Sequence, residues 1–184
     1  MGEPTISNAD HGDANKLTSK WAYFLGFGAL LVGFYAFYTT KAFEDLVLLP
    51  YVGAQTKVVS ALLNLFGAGT TAEGVMLRGP GVPLNVAKGC DGIEVTFMYL
   101  AGVLLMPFPW RSKAVGAFWG LGVLVVLNIL RVVMLYVAQL RWPSTFDFLH
   151  LHGGFALFSV VAILMWVAWT NWAMKQGAKQ EVKP

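Results

Sequence analysis

The stretch 114–138, AVGAFWGLGVLVVLNILRVVMLYVA, decides the fold class. Apart from Asn128 and Arg131, every side chain in it is aliphatic, aromatic or glycine. A run of this length and polarity is what crosses the hydrocarbon layer of a membrane as a helix. Gly116 and Gly120 fall one turn apart within it, a small-xxx-small pair that admits a close neighbour. Working outward, 148–174 is a second such run, and 92–106 a third that ends at Pro107-Phe108-Pro109. Residues 21–38 form a fourth, uncharged and with aromatic side chains near both ends. A polar leader precedes this run and no small-x-small cleavage pattern stands before Lys41, so it reads as an anchor and not a signal peptide.

Two further segments lie between the first and second of these runs in chain order. Residues 52–67 are amphipathic, with Val59, Leu62, Leu63 and Phe66 at helical spacing, but they carry Gln55 and Lys57. That combination predicts a helix lying in the interface. In 74–88, two short apolar stretches flank Gly79-Pro80-Gly81, which predicts a small hairpin. The expected fold is an all-α integral membrane protein: about four transmembrane helices, an interfacial amphipathic helix and a small outer-face hairpin. Composition agrees, since 57% of the 184 residues are hydrophobic and only 12% are charged. Mean hydropathy is +0.60. A soluble domain of this size needs more polar surface than that.

The formal charge of +3 has its source at the ends of the apolar runs, where it sets orientation and does not mark nucleic-acid binding. With Lys16 and Lys20 inside, four spans also bring Arg111, Lys113, Lys175, Lys179 and Lys183 inside. Residues 1–20 are then a mobile cytoplasmic polar tail, 21–174 the membrane-embedded domain and 175–184 a cytoplasmic basic tail. The same parity puts Cys90, Arg131 and His150 at one depth near the outer face. It carries its own test, because a spanning 52–67 segment would flip the tail.

Each of those residues has a functional and a bland reading. Cys90 is the sole cysteine, so no internal disulfide uses it. In Gly89-Cys90-Asp91-Gly92 it stands at the start of a helix, where amide groups and the dipole favour a thiolate and a lowered pKa. Asp91 and Glu94 oppose that electrostatically, and nucleophile and structural thiol both remain open. Arg131 either snorkels to the headgroups or donates to a carbonyl or an oxyanion, with Asn128 one turn away on the same face. His150 suits a general base near neutral pH. Its neighbour His152 falls on another side of a helix, and no carboxylate or cysteine cluster completes a metal set. No Ser-His-Asp arrangement, phosphate loop or nucleic-acid motif is present, and no cofactor is expected.

Three blocks in order carry a family resemblance: Gly89-Cys90-Asp91-Gly92-Ile93-Glu94, Asn128-Ile129-Leu130-Arg131, and Phe146-Asp147-Phe148-Leu149-His150 with Gly154 and Phe158 behind. They look like the signature of the exosortase/archaeosortase family. The Cys-x-Gly-x-Glu form and the Met106-Pro107-Phe108-Pro109 turn resemble exosortase H most closely. The likeness covers roughly residues 55–160. It implies a membrane-embedded cysteine transpeptidase of the bacterial inner membrane, with its site facing the periplasm. Its partners would be exported proteins with a C-terminal signal of short motif, apolar helix and basic end, which it cuts and passes to an acceptor. Carried over, Cys90 is the nucleophile, His150 the acid/base and Arg131 the substrate or oxyanion contact, with Asn128, Glu94 and Gly92 in support. The glycine and phenylalanine spacing picks His150 over His152. Two rivals stand beside this reading: a non-enzymatic membrane subunit with a structural Cys90, and an acyltransferase that loads Cys90 with a fatty acyl group.

Overall fold

A computed structural model describes residues 9–81, 83–86, 89–148 and 154–181. Its elements are α1 (Ala9–Tyr38), α2 (Lys41–Phe43), a π turn (Glu44–Leu48), α3 (Leu49–Leu65), β1 (Thr71–Glu73), β2 (Met76–Arg78), β3 (Leu84–Asn85), α4 (Ile93–Leu105), α5 (Trp110–Arg141), α6 (Pro143–Phe148) and α7 (Gly154–Glu181). Both polar ends are more helical than the sequence predicts: α1 starts at Ala9, within the expected tail, and α7 runs on to Glu181. The last long helix also starts later than the predicted residue 148. The short α6 ends there, and α7 begins at Gly154.

Lys41–Leu65 is where the structure departs most from the sequence reading. Thr40 caps it by accepting the Phe43 N–H at 3.2 Å, and the helix then runs on through Pro50. Proline lacks an N–H and crowds the preceding turn, so the helix widens into the π turn just ahead of it and does not end. The whole segment has mean hydropathy 1.5 and is long enough to cross a membrane, as are Trp110–Arg141 and Gly154–Gln176. By length and composition three described helices reach that standard, while the apolar parts Tyr23–Tyr38 and Ile93–Leu105 are shorter. The sequence count of four took those two as spans and laid 52–67 in the interface.

Beyond α3 the chain forms a three-stranded antiparallel sheet in the order β1-β2-β3, with Thr71 opposite Arg78 and Leu77 opposite Leu84. The sheet packs on α3. Its loop from α3 is tied by Asn64, which accepts the Thr70 N–H at 2.7 Å and donates to the Thr70 carbonyl at 2.8 Å. Leu77, Leu84 and Val86 close over Val52, Val59, Leu135 and Tyr136 in one core, and Cys90 belongs to it.

A second core joins α4, α5 and α7. Here Gly116 and Gly120 of α5 lie against the rings of Trp169 and Tyr99. The small residues therefore admit aromatic rings, which reach across to cap α5 carbonyls: Tyr99 Oη donates to Gly116 O at 3.0 Å, and Trp169 Nε1 to Ser112 O at 2.9 Å. Outward-facing Phe118, Trp119, Phe24 and Leu25 leave an apolar belt that water would not tolerate and lipid would.

Candidate active site

The site is built on the loop before α4. Gly92 ends it with φ of +75°, a left-handed turn, and a side chain there would also meet Asn128 at 2.8 Å. Both facts call for glycine. The loop's carbonyls point at α5, and α5 answers each of them. Arg131 Nη2 donates to Gly89 O at 3.2 Å. Asn128 Nδ2 donates to Cys90 O at 3.0 Å and to Asp91 O at 2.8 Å. Two side chains one helical turn apart thus hold three consecutive peptide groups. Asn128, Arg131, Gly92, Cys90 and Glu94 are brought together. His150 and His152 lie outside the described residues.

Cys90 is 6% exposed and Arg131 7%. Burial pushes the Cys90 thiol above its ordinary range, the Arg131 guanidinium opposes that, and the Asp91 carboxylate adds to it. The expectation of a lowered pKa is therefore corrected. The helix-end amide that was to favour a thiolate is already occupied, because Ile93 N–H donates to Asp91 Oδ1 at 2.7 Å. In this state the site holds a neutral thiol and needs a base to make its nucleophile.

Among the described residues, Arg131 Nε has no hydrogen-bond partner although it is buried. It is a donor held in place with nothing yet to donate to. Arg131 and Phe158 line two neighbouring spaces. One is a crevice beside the loop of about 10 Å³, room for one water at most. The other is a groove of about 210 Å³ between α5 and α7, walled by Leu127, Leu130, Met134, Leu157 and Val161. The guanidinium stands at the join.

Sequence reasoning undervalued Asp91, which is 0% exposed. Besides Ile93 N–H it accepts Gly89 N–H at 3.1 Å and the Tyr38 hydroxyl at 3.4 Å, both on Oδ2. An aspartate just ahead of an apolar helical run is a capping signal and was legible as one. Tyr38 was not, because it comes from α1, far away in sequence.

A helical bundle with an apolar belt, carrying a buried cysteine loop clamped to an arginine on a helix long and apolar enough to cross a membrane, defines the class: a membrane protein with a built polar site. A family profile described as transmembrane exosortase matches residues 17–167, and the chain belongs to that family. Among curated proteins and among solved structures none matches it.

Proposed function

We propose that the chain is a cysteine peptidase and transpeptidase that cuts the C-terminal sorting signal of exported proteins. The observation that carries this reading is the clamp. Asn128 and Arg131 fix the backbone on both sides of Cys90 and leave Arg131 Nε unpartnered beside it, among the described residues. A purely structural thiol needs no immobilised loop and no spare donor.

In this mechanism His150 takes the Cys90 proton, and the thiolate sulfur attacks the scissile carbonyl carbon. The carbonyl π electrons move to oxygen, where Arg131 donates to the developing charge. Collapse of that adduct expels the amine, which takes the proton from His150, and leaves a thioester on Cys90. An acceptor amine or hydroxyl, or water, loses its proton to His150 and displaces the thiolate. Burial holds the Cys90 thiol above its ordinary range, so a base such as His150 is needed to form the nucleophile. Gly92 and Glu94 support the loop and the first turn of α4. We place the site at the periplasmic side of a bacterial inner membrane, with residues 21–174 as the membrane domain; if Lys41–Leu65 spans, parity puts the two polar ends on opposite sides.

The test is processing of a tagged exported protein bearing a C-terminal motif, apolar helix and basic end, in membranes carrying wild type, Cys90→Ala, Arg131→Ala, His150→Ala or His152→Ala. Loss of cutting in the first three variants and its retention in the fourth is the expected pattern. Equal cutting by Cys90→Ala would sink the reading and leave the non-enzymatic subunit. A fatty acyl group on Cys90, seen by mass, would favour the acyltransferase instead.

A further inference from the structure

The chemistry above leaves one buried charge without a task. Asp91 is wholly enclosed, and among the described residues no lysine or arginine forms an ion pair with it. A lone carboxylate in such a place is costly unless hydrogen bonds replace its water. Three do: Ile93 N–H at 2.7 Å, Gly89 N–H at 3.1 Å and, more weakly, Tyr38 Oη at 3.4 Å. Capping α4 requires only the first of these. The second reaches back across Cys90, so one carboxylate pins the amides on both sides of the cysteine. The third comes from the end of α1, the helix whose Phe34 also stacks on Phe97 of α4.

We propose that Asp91, held by Tyr38, is the positioning residue of this site: it closes the Cys90 loop on itself and anchors it to α1. Pinned amides on one side and the three carbonyls bound by α5 on the other leave the loop no freedom to turn the thiol away. The inference rests on the reading of Cys90 as the reacting group.

Asp91 also sets the charge around the thiol. Among the described residues, the titratable and charged groups facing this cluster are Tyr35 and Tyr38 on α1, Tyr51 on α3, Cys90 on the loop, Glu94 on α4 and Arg131 on α5. His150 lies outside the described residues. Two carboxylates therefore oppose one guanidinium. Removing the charge of Asp91 makes the thiol easier to ionise while it unpins the loop. Reactivity toward a small reagent and turnover of a large substrate should then move in opposite directions. A residue that merely stabilises the fold would not split the two.

The experiment uses the full chain in membranes with wild type, Asp91→Asn, Tyr38→Phe and the double variant. Cys90 being the sole cysteine, iodoacetamide labelling reads it directly. For Asp91→Asn the labelling-rate profile should move to lower pH by about one unit, the effect of a nearby charge. Processing of the tagged substrate should fall at least ~10-fold, as misplacement at a reacting centre does. Tyr38→Phe should cut processing about threefold, and the double variant should be no worse than Asp91→Asn, since Tyr38 acts through Asp91. An unchanged labelling profile with unchanged processing in Asp91→Asn would overturn the proposal, as would effects of the two substitutions that multiply. Should Asp91→Asn fail to accumulate, wild-type processing by Tyr38→Phe overturns it alone. Cys90→Ala run alongside separates the failures. If that variant cuts as wild type does, the peptidase reading falls and this inference with it. If it is dead while Asp91→Asn is normal in both readouts, only the positioning role falls.

Discussion

Along α5, one helix meets its neighbours in two different ways. Near its C-terminal half, Asn128 and Arg131 hold the Cys90 loop through side-chain hydrogen bonds to backbone carbonyls. Near its N-terminal half, Gly116 and Gly120 hold α4 and α7 through aromatic rings seated on bare backbone. In lipid there is no hydrophobic drive between helices, so contact area and hydrogen bonds must do the assembling. The glycine end supplies contact area and tolerates no added bulk. The polar end supplies direction, and fixes a loop that has little regular structure of its own. On the proposed function, stability and chemistry are thus divided between two ends of one helix.

Predictions can break that division. The largest effect belongs to Cys90→Ala, which should abolish processing at a stability cost of no more than about 1 kcal/mol; a strong loss of stability would place the cysteine in the packing role. Next is Arg131→Lys. A lysine cannot present two donors in a fixed plane, so kcat should fall about 100-fold or more, and near-normal turnover would remove the oxyanion role. Gly120→Ala should do the reverse of Cys90→Ala. Its added methyl meets the Tyr99 ring, so stability should fall by about 1–3 kcal/mol while activity per folded molecule is kept. Equal loss of both would show that the two ends are coupled. The smallest effect is expected for Lys113→Ala, whose Nζ caps Leu104 O at 2.6 Å from an exposed position. A cost under ~1 kcal/mol in denaturation is expected there.

The pH dependence of Cys90 labelling sharpens the same contrast. With the thiol pKa raised, labelling should stay slow through neutral pH and climb only above the ordinary thiol range. If labelling is already fast at neutral pH, the resting site holds a thiolate, and the base step is unnecessary.

The sequence made the membrane class legible, because long apolar runs such as 21–38 and 114–138, the second broken only by Asn128 and Arg131, have few other uses. It also made Asn128 and Arg131 legible as a pair, since their spacing is a helical turn and their cost in lipid demands a purpose. Lys41–Leu65 was misread for a local reason. Its amphipathic pattern with Gln55 and Lys57 made 52–67 look like a short helix, whereas the helical segment starts earlier, at Lys41, and runs through the π turn into α3. The sign of the Cys90 shift was misread for a related one. Position at a helix start argues for a thiolate, but burial, which the local sequence does not show, pushes the thiol up, and Asp91 takes the helix-end amide. Tyr38 could not be read at all, because its bond to Asp91 joins residues 53 apart in the chain.

The length of α4 has one more consequence. Its thirteen residues rise only about 20 Å, well short of a hydrocarbon layer of about 30 Å. On the proposed orientation, its head end therefore stands below the level of the headgroups. A thioester formed there would meet water at low activity, and its fate would become a race that water enters late. An acceptor able to dissolve in the bilayer would win it. The ratio of transferred to hydrolysed product, followed as the acceptor is diluted, would report how dry that recess is.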